Sequence, residues 1–190
     1  MGNIMTQDAI LLLQNRLAKV SNELFIAILG GCFLAVISQV ALPLPFTPIP
    51  MTLQTLGLFL LAGSLGSRRA VSCVVAYLAQ GAIGFPVFAG GVANPFWFVD
   101  IKAGFLVSFL AAAVIVGRLL EKRANPHFVY VLSVLGLGQL AIFAIGAAWL
   151  SFFVGVNKAI LFGVLPFLSG ALLKIVVASL LLKARALFNQ

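Results

Sequence analysis

The chain has 190 residues, of which 63% are hydrophobic and 8% charged, with 12 Lys and Arg against 4 Asp and Glu for a net charge of +8. A soluble globule carries about a quarter of its residues charged to face water, so this composition excludes one and calls for an all-α integral membrane protein. The positive balance would suit a nucleic-acid binder if the basic residues were clustered in one patch, but they recur between apolar runs.

In chain order, residues 1–22 carry Ile10, Leu11, Leu13, Leu17 and Val20 with Gln14, Arg16 and Lys19 between them, which predicts an amphipathic helix in the membrane interface. No small-residue cleavage site follows a basic stretch, so no removable signal peptide is expected. Residues 23–190 then form one transmembrane domain of six apolar runs: Glu23 to Leu42, Met51 to Leu65, Ala70 to Phe85, Ile101 to Leu119, Phe128 to Val154 and Leu165 to Leu182. The second and third are short for a span of about 20 residues, which implies tilt or local thinning.

The first run carries Ala27, Gly31 and Ala35 at four-residue spacing, a small-residue stripe that permits close helix contact. Internal packing and docking of another membrane protein are both open for it. Cys32 and Cys73 lie inside spans without metal-ligand spacing and read as packing residues.

Arg16 and Lys19, Arg68 and Arg69, Arg118, Lys122 and Arg123, and Lys183 and Arg185 all fall on one side of a six-span topology if both termini are cytoplasmic. The connections after spans one, three and five then face outward. The first, Ala41-Leu-Pro-Leu-Pro-Phe-Thr-Pro-Ile-Pro-Met-Thr-Leu-Gln54, is stiffened by four prolines. The second, Gly81 to Phe98, alternates glycines with Phe88, Phe96, Trp97 and Phe98, combining close backbone approach with apolar walls. The inward connections are a tight turn at Ser64 to Arg69 and a polar loop at Glu121 to His127, where His127 reads as solvated.

Lys174 is the one charge in the run Leu165 to Leu182. An ammonium at the centre of a span costs at least about 2.5 kcal/mol, so it is expected to face a polar cavity; snorkelling is disfavoured because Lys183 and Arg185 already mark the nearer interface. With Pro166 or Ser169 starting the helix, Lys174 falls in its first or second turn, where the helix dipole adds to its pull on an anion. A cation beneath two stiff lids describes an outward pocket for a partly apolar carboxylate.

Other chemistries lack their parts. There is no G-x-x-x-x-G-K-[ST] phosphate loop, and a single histidine rules out H-E-x-x-H. Asp8, Glu23 and Glu121 lie toward the basic side, leaving Asp100 alone outside, which is too little for a proton relay. A binding protein driven by a partner fits better than a pump. An intramembrane enzyme would have to use Ser169 beside Lys174, with no oxyanion donors in prospect.

Three segments taken together resemble the BioY family, the biotin-specific substrate-binding (S) components of energy-coupling factor transporters. They are Pro43-Leu-Pro-Phe-Thr-Pro-Ile-Pro-Met-Thr-Leu-Gln-Thr55, Gly81-Ala-Ile-Gly-Phe-Pro-Val-Phe-Ala-Gly-Gly91 and Val164-Leu-Pro-Phe-Leu-Ser-Gly-Ala-Leu-Leu-Lys174. The resemblance implies a six-helix bundle in the bacterial cell membrane, with cytoplasmic termini and an outward pocket. Its cargo would be biotin, with no cofactor. Its partners would be a membrane coupling protein and two cytoplasmic ATPases, docked on the Ala27, Gly31 and Ala35 stripe.

On this reading Lys174 holds the ligand carboxylate, Gln54, Thr52 and Asn94 are polar contacts, and Phe88, Trp97, Gly90 and Gly91 enclose the rings. An S component for another small anionic vitamin is the runner-up. Two departures stand out. The family commonly has Asp three residues before this lysine, where this chain has Ala171, and a neutral stretch where it has Asp100-Ile-Lys-Ala-Gly104. Asp100 is expected to supply the missing acidic contact, with Lys102 pairing to it or to the ligand; interfacial anchoring of that helix is the alternative.

Overall fold

The computed structural model describes residues 2–45, 47–123 and 125–188, with side chains from 16 to 185. Helix α1 runs Gly2–Ser38, α2 Gln54–Ala82, α3 Ala103–Glu121, α4 Phe128–Val154, α5 Val156–Gly163 and α6 Leu168–Phe188; β1 (Ala41–Leu42) and β2 (Met51–Thr52) form a short antiparallel pair. Five helical stretches are long and apolar enough to cross a membrane. This is a multi-pass membrane protein.

Helix α1 is unbroken over 37 residues, so the expected N-terminal segment continues into the first span rather than forming a separate helix; the side chains of Ile10, Leu11 and Leu13 lie outside the described residues. The first span ends at Ser38, four residues before the expected boundary, and the proline-rich segment turns back on itself through the β1–β2 pair.

The two short runs expected as spans two and three are the arms of α2. At Gly66 the backbone takes φ 80° and ψ 174°, a conformation open essentially to glycine alone. Gln54 and Tyr77, 23 residues apart, share a hydrogen bond of 2.6 Å. An unbroken helix would hold them roughly 34 Å apart, so the arms lie side by side. Glu121 at the end of α3 accepts the backbone N–H of Ser67 at 2.9 Å and secures the bend.

Helices in lipid gain little from the hydrophobic effect and are held by close van der Waals contact at small residues. Here α3 and α4 interlock reciprocally, Trp149 packing onto Gly104 and Phe105 onto Gly146. On α1, the inward face is Ala27, Gly30, Gly31, Leu34 and Ser38, with Gly30 against Cys73 and Gly31 against Ala76 and Tyr77 of α2. Ala27 and Gly31, expected to present a docking face, are buried within the chain, and Ala35 is partly buried. Cys73 fills the notch at Gly30, whereas Cys32 is exposed.

At the bend of α2, Arg69 donates to both carboxylate oxygens of Glu23, through Nη2 at 2.7 Å and Nε at 3.0 and 3.2 Å, tying α1 to α2. At the opposite end, α5 is an element the sequence reading had as connection. It leads through a 3₁₀ turn at Leu165–Phe167 into α6.

Gly66→Ala adds a Cβ against the Glu121 carboxylate and forces alanine into a left-handed conformation. We expect a loss of about 1–3 kcal/mol or more, read as a lower unfolding midpoint in detergent; an unchanged midpoint would show that the bend tolerates a side chain.

Candidate functional site

The inward face of α6 is Ala171, Lys174, Ile175 and Ala178, spaced i, i+3, i+4 and i+7, while Leu172, Leu173 and Val176 face out. The pattern turns Lys174 toward the bundle in the second turn of its helix, away from lipid. It faces a cavity of about 130 Å³ at the end of the bundle where residues 39–53 and 83–102 and the α5–α6 turn meet.

The Lys174 ammonium donates to the Thr52 carbonyl at 3.1 Å. Thr52 donates through its hydroxyl to the Gln54 amide oxygen at 3.2 Å, and the Gln54 amide donates to the Tyr77 hydroxyl at 2.6 Å. An ammonium has three N–H groups, so two remain for a ligand. Among the described residues the single ion pair is Arg69 with Glu23, and no carboxylate neutralises Lys174.

The opposite wall is aromatic. Tyr77 meets Phe88 edge-on with centroids 5.6 Å apart, and Phe88 meets Trp97 at 6.3 Å. Asp100 lies beside them at the start of α3. Its carboxylate accepts from the Asn94 amide at 3.1 Å and from the Lys102 backbone N–H at 2.9 Å, and its carbonyl accepts from the Trp149 indole at 3.0 Å. The interlock of α3 with α4 thus places Asp100 through Trp149. Lys102 approaches Asp100 through its backbone; their side chains form no ion pair.

Of the residues expected from sequence, Lys174, Asp100, Asn94, Gln54, Thr52, Phe88, Trp97 and Lys102 all line this cavity. Gly90 and Gly91 do not. Both are exposed, with φ of 80° and 70°, and make the tight turn that pairs Phe88 with Val92 and so sets the wall. Ser169 is exposed and outside the lining, which leaves the enzyme alternative without its nucleophile.

Sequence reasoning missed Tyr77, Thr55 and Gln139, which also line the cavity. Among the described residues, three buried side-chain polar atoms lack any partner: Thr55 Oγ1, Trp97 Nε1 and Gln139 Oε1. A buried polar group left without a partner costs about 1–3 kcal/mol, and all three belong to residues lining this one cavity. The available signal was Gln139 itself, an amide within an otherwise apolar stretch of α4.

A profile of the BioY family matches residues 8–189. The chain belongs to the BioY family. The biotin transporter BioY of Thermotoga maritima is 36% identical to this BioY chain over 154 residues, 80% of this chain and 90% of the relative. The biotin transporter BioY of Rhizobium etli is 32% identical over 169 residues, 83% and 90% of the two chains. A solved structure described as the S-component for biotin from an ECF-type ABC transporter matches with a TM-score of 0.78, covering 91% of this chain and 94% of its own; at 24% identity the likeness is one of fold.

Removing the Tyr77 hydroxyl strands a buried amide. Tyr77→Phe is expected to lower the stability of the ligand-free chain by about 1–3 kcal/mol, measured as the unfolding midpoint in detergent; no change would mean that Gln54 finds another acceptor.

Proposed function

We propose that this BioY chain captures and takes up biotin as the substrate-binding component of an energy-coupling factor transporter in a bacterial cell membrane. The observation that carries the reading is the unneutralised Lys174 ammonium at the edge of a cavity walled by Tyr77, Phe88 and Trp97. Such a site suits a ligand with one carboxylate and a compact, largely apolar body carrying a few hydrogen-bonding groups. Biotin has that form, and it is the cargo in the names of the relatives.

The topology is six crossings with both termini cytoplasmic, the arms of α2 counting as two. Support comes from the Gln54–Tyr77 bond and from charge: Arg68, Arg118, Lys122, Arg123 and Arg185 are exposed at the end away from the cavity, so the positive side faces the cytoplasm and the cavity faces out. Energy comes from a membrane coupling protein and two cytoplasmic ATPases, as the fold neighbour's description as part of an ABC transporter suggests. Of the stripe expected to dock them, Ala27 and Gly31 are buried in the fold, Gly31 against Ala76 and Tyr77 of α2, and Ala35 is partly exposed.

Lys174 holds the carboxylate, and the carboxylate's arrival supplies the counter-charge that the apo cavity lacks. Asp100 supplies the acidic contact to the ligand's ureido N–H groups. Each of its oxygens spends one lone pair on Asn94 or the Lys102 amide and keeps another.

Calorimetry on the purified chain with biotin and with biotin amidated at its carboxylate tests the reading. Loss of a charge-assisted hydrogen bond is worth about 1.5–3 kcal/mol, so the amide is expected to bind at least about tenfold more weakly. Lys174→Met should erase the difference. Equal affinity for both ligands in the wild-type chain would remove Lys174 from carboxylate binding, and no binding of biotin at all would overturn the function.

Asp100→Asn is expected to weaken biotin by more than about twofold, since a carboxylate accepts more strongly than an amide oxygen. An affinity unchanged within that margin would leave Asp100 only its role in ordering the start of α3.

A further inference from the structure

Among the described residues, four other buried polar side chains are satisfied internally. Ser38 donates to the Val87 carbonyl, Ser108 to Phe105, Ser179 to Ile175, and Gln54 to Tyr77. Gln139 and Thr55, only 5% and 8% exposed, break the pattern: Gln139 Oε1 and Thr55 Oγ1 have no partner, and both residues line the cavity.

Their positions are fixed by the helices that carry them. Gln139 sits on the inward stripe of α4 with Leu135, Ile142 and Phe143, where an apolar residue would continue the packing without loss. Gly138 beside it packs on Phe59, which lies one turn beyond Thr55 on the same face of α2. The two unpaired groups therefore stand on adjoining walls. Ala171, on the α6 wall next to Lys174, contributes no polar atom.

We propose that Gln139 and Thr55 form a neutral polar subsite that reads the edge of a planar cyclic urea or amide. A glutamine amide presents an acceptor and a donor side by side, complementary to a carbonyl flanked by N–H. The Thr55 hydroxyl donates or accepts as the ligand requires, and the unpartnered Trp97 indole N–H adds a donor from the loop wall. The subsite rests on the reading of the cavity as a biotin site and deepens it. Lys174 takes the carboxylate, and the ring system is read by hydrogen bonds from α4 and α2 in addition to Asp100. Because the set is uncharged, it discriminates by the placement of donors and acceptors rather than by charge.

The test uses the full purified chain, biotin, and a biotin analogue methylated at both ureido nitrogens. Gln139→Met keeps the volume and removes both amide functions; Thr55→Val does the same for the hydroxyl. We expect Gln139→Met to weaken biotin by about tenfold or more and Thr55→Val by several-fold, of the order set by one lost hydrogen bond to a stranded partner. The methylated analogue, which keeps the carbonyl but cannot donate to Gln139 Oε1, should lose less affinity on Gln139→Met than biotin does. Removing an unsatisfied buried amide should leave the unfolding midpoint of the ligand-free chain unchanged or raised.

Biotin affinity unchanged within about twofold in Gln139→Met would overturn the subsite. So would a lowered ligand-free midpoint with equal losses for biotin and the analogue, the signature of a purely structural glutamine. A wild-type chain that fails to bind biotin would overturn the preceding reading, whereas binding by the wild-type chain with no effect of Gln139→Met overturns the subsite alone.

Discussion

Close approach of helix backbones is what this bundle has in place of a hydrophobic driving force, because lipid chains solvate leucine as well as protein does. Where small residues occur, large ones enter: Trp149 over Gly104, Phe105 over Gly146, Cys73 over Gly30. The cavity is the place where that interlocking stops, between the loop ends of the helices, and nearly every polar feature of interest borders it. A void lined only by apolar groups would cost contact energy alone. This one also leaves three hydrogen-bonding groups unpaired and an ammonium without a counter-ion, a deficit that a complementary solute removes on binding.

The site is assembled from both short-range and long-range pieces. Thr52, Gln54 and Tyr77 are brought together by the reversal at Gly66, and their hydrogen-bonded series ends on Lys174 from α6. Asp100 is positioned through Trp149, itself seated by the α3–α4 interlock. A defect in helix packing, at Gly66 far from the cavity or at Gly104 beside it, therefore reaches the groups that line the cavity through named bonds.

Much of this was legible from sequence because the signals were isolated. Lys174 stood out as a lone charge in an apolar run, and the bounds of α4 followed directly from Phe128 to Val154, an uninterrupted run beginning after Pro126 and His127 and ending at Gly155. The proline-rich and glycine-rich segments were correctly placed around the cavity, but glycine reports backbone conformation, so Gly90 and Gly91 proved to shape a turn rather than line the site. Helix α5 escaped because eight residues with Lys158 exposed among them look like connection. The spacing of the stripe at Ala27 and Gly31 fitted two uses equally, and the packing of Gly31 on Ala76 and Tyr77 of α2 is a tertiary fact that spacing does not carry. Gln139 went unread because periodicity counts apolar positions and passes over a polar residue that shares their face.

The accounting of carboxylates has an outcome for the far end of the molecule. Glu23 is committed to Arg69, Glu121 to the amide of Ser67, and Asp100 to Asn94 and the Lys102 amide. Among the described residues, exposed Arg68, Arg118, Lys122, Arg123 and Arg185 outnumber the acids at that end, Glu121 and the Arg69-paired Glu23. Their field reaches about 8 Å into physiological saline before counter-ions extinguish it. Phospholipid headgroups, or any protein approaching from that side, meet a positive surface before touching a side chain, and the strength of that first encounter falls as salt rises.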